Sequence, residues 1–553
     1  MSTDGWWSPD APGELLEAWR AADVAAADAA RLATGADLMA AAAHALAGHC
    51  AALLRERTGR VSGRRVVLLV GPGNNGGDAL LAGAALRARG AGVTALLLAE
   101  RAHARGTAAL RAAGGRVVTV PADPGTDDAA VTAAADLVRD ADLVVDGVLG
   151  IGASGAVRGA AWAVLERVHL RRGAVVACDL PSGLDPDTGA LAGPVLPADL
   201  TVTFGAAKPG LLLPAGRHAV GRLVVVDLGL GEHLPPPAVR LVLDGGDPTR
   251  PGPHVAARWP EPWRDADKYS RGVLGVVAGD DRYPGAAVLC SRAAAAAGVG
   301  MVRYVPADGG AAATDPVGPL VLQAVPEALV QPLDAVGRVQ AWVVGPGVSA
   351  DDDPRVAHVL TGTDEPAVVD AGALEAAARA SLDGTLRRPD RLLLTPHRGE
   401  LARVAQVLDV AQEDAAGPLD LVDVARAVAD RLGVTLLLKG ADTVVLAPDG
   451  TPTVVPGGPP WLATAGAGDV LAGLAGALLA AGSAPGRAAT LAAHVHAVAA
   501  HRASAGGPLH AALVVEQVRQ VVADGLAGAA VPLLRAGVPA GDAPGDWDHG
   551  GRD

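Results

Sequence analysis

Six polar residues in the first half of the chain, Asn74, Asn75, Asp78, Asp146, Asp179 and Ser182, set amide, carboxylate and hydroxyl oxygens among glycines. They lie in GPGNNGGD (71–78), DGVLGIGASG (146–155) and DLPSGLDPDTG (179–189). Hard oxygens of this kind suit an alkali or alkaline-earth ion rather than zinc. Glycine-rich turns offer backbone N–H groups to phosphates, and a carboxylate not engaged with the ion can move a proton. Each motif alone also has a plain explanation, since an Asp at a strand end often caps a helix and PSGLDPDTG suits a loop with Asx turns. Turn chemistry explains all three together, in this order, far less easily.

The second half carries LLLTPHRGEL (392–401), VTLLLKGADTVV (434–445) and PPWLATAGAGDVLAGLAGALL (459–479). In the last, the loop Ala465–Gly468 runs straight into Asp469 and a predicted helix, an anion hole with a carboxylate at its lip. Its peptide N–H groups can hold a transferring phosphate while Asp469 takes a proton from an attacking hydroxyl. The plain alternative makes Asp469 a first-turn acid stabilised by the helix dipole. His397 and Lys439 stand at predicted strand ends, where a hydrogen-bonded histidine and a solvated lysine are the corresponding alternatives. No GxxxxGK[ST] occurs, which excludes a P-loop enzyme.

These residues need strands to carry them. From 64 to about 230, apolar runs (RRVVLLV, AGVTALLLA, ADLVVDGVLG, GAVVACDL, LTVTF, GRLVVVDLGL) alternate with helical segments, the pattern of a parallel sheet covered on both faces. In such sheets ligands bind beyond the carboxyl ends of the strands. A Pro/Gly-rich stretch (231–262) follows, then a second alternation containing GVLGVVAG, AWVVGPG, PAVVDAG and RLLLTPH. Two α/β units are expected, 1–240 and 241–535, with a polar tail at 536–553 expected to be disordered. The halves share no close repeat, so different topologies are expected.

The net charge of −14 argues against a nucleic-acid or anionic-membrane surface. Cys50, Cys178 and Cys290 form no CxxC pair, so buried thiols are expected rather than a disulfide framework or a zinc site. The N-terminal residues show no basic region followed by an apolar one, and no uninterrupted apolar segment reaches the ~20 residues of a membrane span. The expectation is a cytoplasmic protein with no nucleic-acid or membrane partner.

GPGNNGGD, DGVLGIGASGAVRG and DLPSGLDPDTG, followed by TFGAAKPGLLL, resemble the NAD(P)H-hydrate epimerase domain, a Rossmann-like fold, over residues 14–235. The resemblance implies that hydrated nicotinamide dinucleotide is bound by Asn74, Asn75, Gly76, Gly77 and Asp78 and by Gly150, Ile151, Gly152, Ala153, Ser154, Gly155 and Ala156. It implies potassium on Asn75, Asp146 and Ser182, with Asp179 in the substrate site. Loss and re-addition of water at C6, with Asp179 as acid/base, is the corresponding hypothesis. Ala79 stands where the family usually has glycine, and Ile151 removes a hydroxyl often present in the phosphate-side loop.

KYSRGVLGVVAGDDRYPGAAVLCSRAAAAAGVGMVR (268–303), with the GAGD loop, resembles the ADP- or ATP-dependent NAD(P)H-hydrate dehydratases, of ribokinase-like α/β fold, over 265–530. That implies adenine nucleotide, with magnesium, on Lys439, Gly440, Ala441, Asp442, Thr443 and Gly468. It places Ala286, Gly347, His397 and Asp469 on the hydrated nicotinamide nucleotide. Phosphorylating the hydrate's hydroxyl turns a poor leaving group into a good one, and magnesium neutralises charge on the phosphates. The implied whole is a homo-oligomeric bifunctional enzyme repairing NADH and NADPH hydrates. The competing readings are a ribokinase-like kinase of a small alcohol, and a dehydratase whose first half only binds.

Overall fold

The computed structural model describes residues 15–121, 128–152, 155–168, 171–243, 247–252, 255, 258–307, 316–349, 353–414, 417–418, 420–448 and 450–529. The expected disordered tail lies outside them. A short strand β1 (Leu15–Ala18) opens the chain, followed by the helices Ala21–Ala33 and Leu38–Thr58. Asp37 caps the second of these by accepting from the Ala40 amide, and Gly59 ends it in the left-handed conformation. By length and hydropathy Leu38–Thr58 could cross a membrane. Its Leu46, Cys50, Leu53 and Leu54 are instead buried in the core against the first sheet.

That sheet comprises β2 (Arg65–Val70), β3 (Gly92–Leu97), β4 (Arg116–Thr119), β5 (Leu143–Gly147), β6 (Ala174–Cys178), β7 (Leu200–Phe204) and β8 (Arg222–Val226). The order is β4-β3-β2-β5-β6-β7-β8 and every pairing is parallel. Alternation sends Val66, Leu68 and Val70 into one core and Val67 and Leu69 into another on the opposite face. The chain leaves β2 toward β3 and β4 and returns on the other side at β5. The β2/β5 junction is therefore the topological switch point where a ligand crevice is expected.

The second sheet takes two strands from the first half. β1 pairs antiparallel with β9 (Val239–Val242), and β9 pairs with β20 (Thr453–Val455). The body of this sheet is β10 (Val273–Val277), β11 (Met301–Tyr304), β12 (Leu329–Val330), β13 (Ala341–Val344), β14 (Ala367–Val369), β15 (Leu392–Leu394), β18 (Thr435–Leu438) and β19 (Thr443–Leu446); β16 (Glu413–Asp414) and β17 (Gly417–Pro418) form a separate hairpin. The eleven strands run β1-β9-β20-β19-β18-β15-β14-β13-β10-β11-β12. A boundary at 240 thus cuts through β9, and residues 15–18 belong to the sheet of the second unit. One apolar core joins the units as well: Leu180, Leu184, Leu211 and Leu212 pack in the same cluster as Val344, Leu394 and Leu436. All three cysteines are buried and free.

Candidate active sites

The three polar strand ends of the first unit are neighbours, since β5 lies between β2 and β6. Beyond them a cavity of about 730 Å³ is lined by Asn74, Asn75, Asp78, Gly150, Ile151, Gly152 and Asp179. Asp28, Phe204 and Lys208, not singled out in the sequence, are among the other residues that line it.

Asp179 follows β6 with a φ of 67°, a left-handed conformation that is costly for a residue with a side chain. The strain is offset by its bonds. Its Oδ1 accepts from Lys208 Nζ at 2.6 Å and from the Thr203 hydroxyl at 3.0 Å. Lys208, with a side chain only 1 % exposed, also donates to Thr203 Oγ1 and the Phe204 carbonyl, so all three of its donors are spent. Asp78, in the second turn of the helix Asn74–Ala88, is buried and its Oδ1 meets no partner among the described residues. Burial, and then the charges of Asp179 and Asp28, push its carboxyl up to about 8.

Asp146 and Ser182 sit behind the cavity wall, completely buried. The Ser182 hydroxyl donates to Asp146 Oδ1 at 2.6 Å and accepts from the Leu149 amide at 2.9 Å. Asn75 Nδ2 donates to the Leu149 carbonyl at 2.8 Å, which leaves its Oδ1 as an acceptor. Burial raises the Asp146 carboxyl although hydrogen bonds from Ser182 oppose the shift.

The remaining loop residues divide. Gly76 and Gly77 are buried spacers: a Cβ would strike the Gly71 carbonyl oxygen at 2.3 Å in one case and the His103 ring at 2.9 Å in the other. Neither they nor Gly155 and Ala156 line the cavity. Ala153 and Ser154 lie outside the described residues. Ala79 is accommodated because it faces Gly147, where a Cβ would come within 2.6 Å of its methyl. Ile151 packs its side chain against Val24, Ala27 and Leu230, trading a polar contact for an apolar tie to the N-terminal helix.

The second site also gathers at strand ends. β13, β14, β15 and β18 are adjacent and parallel. Their carboxyl ends lead into Gly347, Asp370, His397 and Lys439 respectively. Lys439 Nζ is 2.7 Å from Asp370 Oδ1 and 3.5 Å from Glu400 Oε2. Asp370 and Glu400, both buried, are the further residues that sequence reasoning did not single out. His397 caps the helix Arg398–Val407: its Nδ1 accepts from the Gly399 amide at 2.9 Å and its backbone N–H donates to Glu400.

The helix Ala467–Ala480 begins after Gly466, whose φ is 87° and which supplies no side-chain cap; the Ala467 amide donates to the Thr464 carbonyl at 3.4 Å, and the next amides of the first turn have no partner within the helix. A Cβ on Gly468 would lie 3.5 Å from Lys439 Nζ and 3.8 Å from Asp370 Oδ2, which fixes the loop against this ion-paired cluster. Burial, reinforced by Asp370 and opposed by Lys439, pushes the Asp469 carboxyl up to about 6. Ala286 and Gly347 are in contact, the positive φ of Gly347 letting its backbone lie against the Ala286 methyl. Gly440, Ala441 and Asp442 form the turn into β19, whose first residue is Thr443. Asp442 is committed to structure: it accepts from the Gly457 amide at 2.9 Å and pairs with Arg217 of the first unit at 3.3 Å.

Fold and sites together define a two-unit α/β enzyme, Rossmann-like and then ribokinase-like, each unit holding titratable groups where parallel strands end. Residues 35–210 match the family described as YjeF-related protein N-terminus, and residues 274–515 match NAD(P)H-hydrate dehydratase. The bifunctional NAD(P)H-hydrate repair enzyme of Mycobacterium tuberculosis is 44% identical over 474 residues, 84% of this chain and 89% of its own. That of Mycobacterium leprae is 43% identical over 497 residues, 88% of this chain and 94% of its own. A solved structure, the ADP/ATP-dependent NAD(P)H-hydrate dehydratase from Bacillus subtilis co-crystallized with ATP/Mg2+, is 26% identical with a TM-score of 0.40, covering 49% of this chain and 96% of that one. The chain belongs to the bifunctional NAD(P)H-hydrate repair enzymes, an epimerase joined to a dehydratase.

Proposed function

We propose that the cavity at the ends of β2, β5 and β6 interconverts the C6 epimers of NAD(P)H hydrate through Asp78 and Asp179. Asp78, protonated at neutral pH, gives its proton to the departing C6 hydroxyl, and the ring nitrogen's lone pair fills the bond left open. Water adds on the other face and yields a proton to Asp179, whose Oδ1 is tied to Lys208 and whose other oxygen is left for the cavity. The acid/base role expected of Asp179 alone is thereby divided between two carboxyls of different environment. The observation carrying this reading is that one cavity holds both an unpartnered buried carboxyl and a lysine-tied one.

Asn75, Asp146 and Ser182 fit a potassium ion. Asp146 is fully buried, and no cationic side chain among the described residues pairs with it. The ion would supply the charge that offsets this carboxylate.

At the second site Asp469 takes the proton of the hydrate's hydroxyl as it is phosphorylated, and the amides beyond Gly466 hold the transferring group. Lys439 keeps Asp370 and Glu400 from repelling the incoming phosphates. Elimination of phosphate then restores the dihydronicotinamide ring. ADP or ATP enters with magnesium, which neutralises phosphate charge. The nucleotide lies along Lys439–Thr443 and Gly468, where Asp442 holds the turn rather than the ligand.

The test is recovery of dihydronicotinamide absorbance from a mixed-epimer NADH-hydrate pool, given ADP or ATP, magnesium and potassium. Complete recovery is expected, with a partial plateau in Asp179→Asn and none in Asp469→Asn. A partial plateau in the unaltered chain would reduce the first unit to a binding module. A stable phosphorylated product would replace the dehydratase by a small-alcohol kinase.

A further inference from the structure

Asp28 lies outside the stretch of the first unit that matches a family, residues 35–210. It is carried by the helix Ala21–Ala33, which is pinned over the cavity. The Ala21 amide donates to Asp187 Oδ1 at 2.8 Å, and the Trp19 amide donates to the Ala207 carbonyl at 2.9 Å, beside Lys208. This placement brings Asp28 against the turn after β7: a Cβ on Gly205 would lie 3.7 Å from Asp28 Oδ1. That oxygen is buried against the protein and has no hydrogen-bond partner among the described residues, while Asp28 as a residue lines the cavity with Asp78, Asp179 and Lys208. The residue itself is only half-buried, so a ligand in the cavity can reach its carboxyl and supply a donor that the protein does not.

The donor's chemistry follows from the local charge. Asp28, Asp78 and Asp179 share this corner with a single ammonium, whose three donors are already spent on the protein. Such a corner repels phosphate and favours a group that donates hydrogen bonds and becomes positive.

We infer that Asp28 is a further catalytic residue of the epimerase site: its carboxyl, at the cavity wall, accepts a hydrogen bond from the hydrated nicotinamide ring, and its charge favours the ring cation formed as the C6–O bond breaks. In that step the bond's electron pair leaves with the oxygen, which takes a proton and departs as water. The ring nitrogen's lone pair forms the C=N bond, and re-addition of water returns the proton. The same assignment orients the substrate, with the ring at the Asp28 corner and the phosphates toward the Gly150–Gly152 loop. It rests on the epimerase reading of this cavity. Burial raises the Asp28 carboxyl, Lys208 lowers it and Asp179 raises it, so its field responds to the same groups.

The experiment uses the full chain with Asp28→Asn and Asp28→Ala. Epimer interconversion is followed by chromatography without nucleotide, in the presence of two inhibitors: oxidised NAD, whose ring is cationic, and ADP-ribose, which lacks the ring. Expected are an interconversion rate at least tenfold lower and inhibition by oxidised NAD about tenfold weaker, with ADP-ribose inhibition unchanged. ADP-driven dehydration of the (S) epimer serves as the folding control, since Asp28 is not in that site. Equal weakening of both inhibitors would make Asp28 a structural residue, and an unchanged rate would remove it from the site; either overturns the inference. Absence of interconversion in the unaltered chain would instead overturn the epimerase reading of the cavity.

Discussion

Lys208 Nζ lies 2.6 Å from Asp179 Oδ1; the lysine side chain is sealed from solvent and the carboxylate is buried except toward the cavity. The lysine is the group that lets a strained, buried carboxylate stand at the edge of the cavity. Removing one partner of such a pair strands the other charge, at a cost of about 3–5 kcal/mol. Lys208→Met is therefore expected to lower the stability of the first unit by that amount in denaturant titration and to reduce epimerisation at least a hundredfold. Lys208→Met with unchanged stability would show that the pair carries no such strain.

With Asp78 as the proposed acid, acting in its protonated form, epimerisation should fall as pH rises through about 8. A slope of tenfold per pH unit is expected above that point and should vanish in Asp78→Asn along with most of the rate. Stability falls with rising pH as well. The folded pKa of Asp78 is raised above its unfolded value, so the folded state binds the extra proton and stability is lost between about pH 4 and 8. Asp78→Asn should be more stable than the parent at pH 8, measurable by thermal unfolding.

Dehydration should respond to pH with the opposite sign. With Asp469 as the proposed base, the rate should climb as pH rises through about 6 and then level. Asp469→Asn should cost about 10²–10⁴-fold in turnover. Initial rates of absorbance recovery from the (S) epimer between pH 5 and 8 would establish the limb.

The potassium proposed for Asn75, Asp146 and Ser182 concerns only the first unit. Exchanging it for a large organic cation should slow epimerisation by about tenfold or more, while ADP-driven dehydration of the (S) epimer continues unchanged. Equal sensitivity of both activities would move the ion away from Asn75, Asp146 and Ser182.

Arg217 and Asp442 join the units 3.3 Å apart, and Asp442 also holds the Gly457 amide beside the nucleotide turn. Arg217→Ala should raise the KM for ADP about fivefold while leaving kcat and epimerisation unchanged, since a partly exposed pair is worth about 1 kcal/mol.

The local features were legible in the sequence. Apolar runs between turns specify strands wherever they occur, and glycines at 71–77 and 466–468 mark places where backbone must come close to something else. Asp78, Asp146, Asp179 and Asp469 could be chosen because each stands where a strand ends or a helix begins, and position along an element depends on near neighbours alone. The recognition of two units followed from the same periodicity.

Other features depended on distance in space. Asp28 looks like one more polar position on an alanine-rich helix until Asp187 and Ala207 pin that helix over the cavity. Lys208 carries no mark in the sequence until the turn after β7 places it against Asp179, and Asp370 and Glu400 matter only because β14, β15 and β18 are adjacent. The pairing of β1 and β9 with the second sheet likewise joins residues more than two hundred positions apart. The sequence by itself determined the elements and the polar groups at their ends, because those follow from residue type and short spacing. Only the tertiary structure decided which carboxyls share a corner and which keep a proton, because charge coupling and loss of water depend on separation in space.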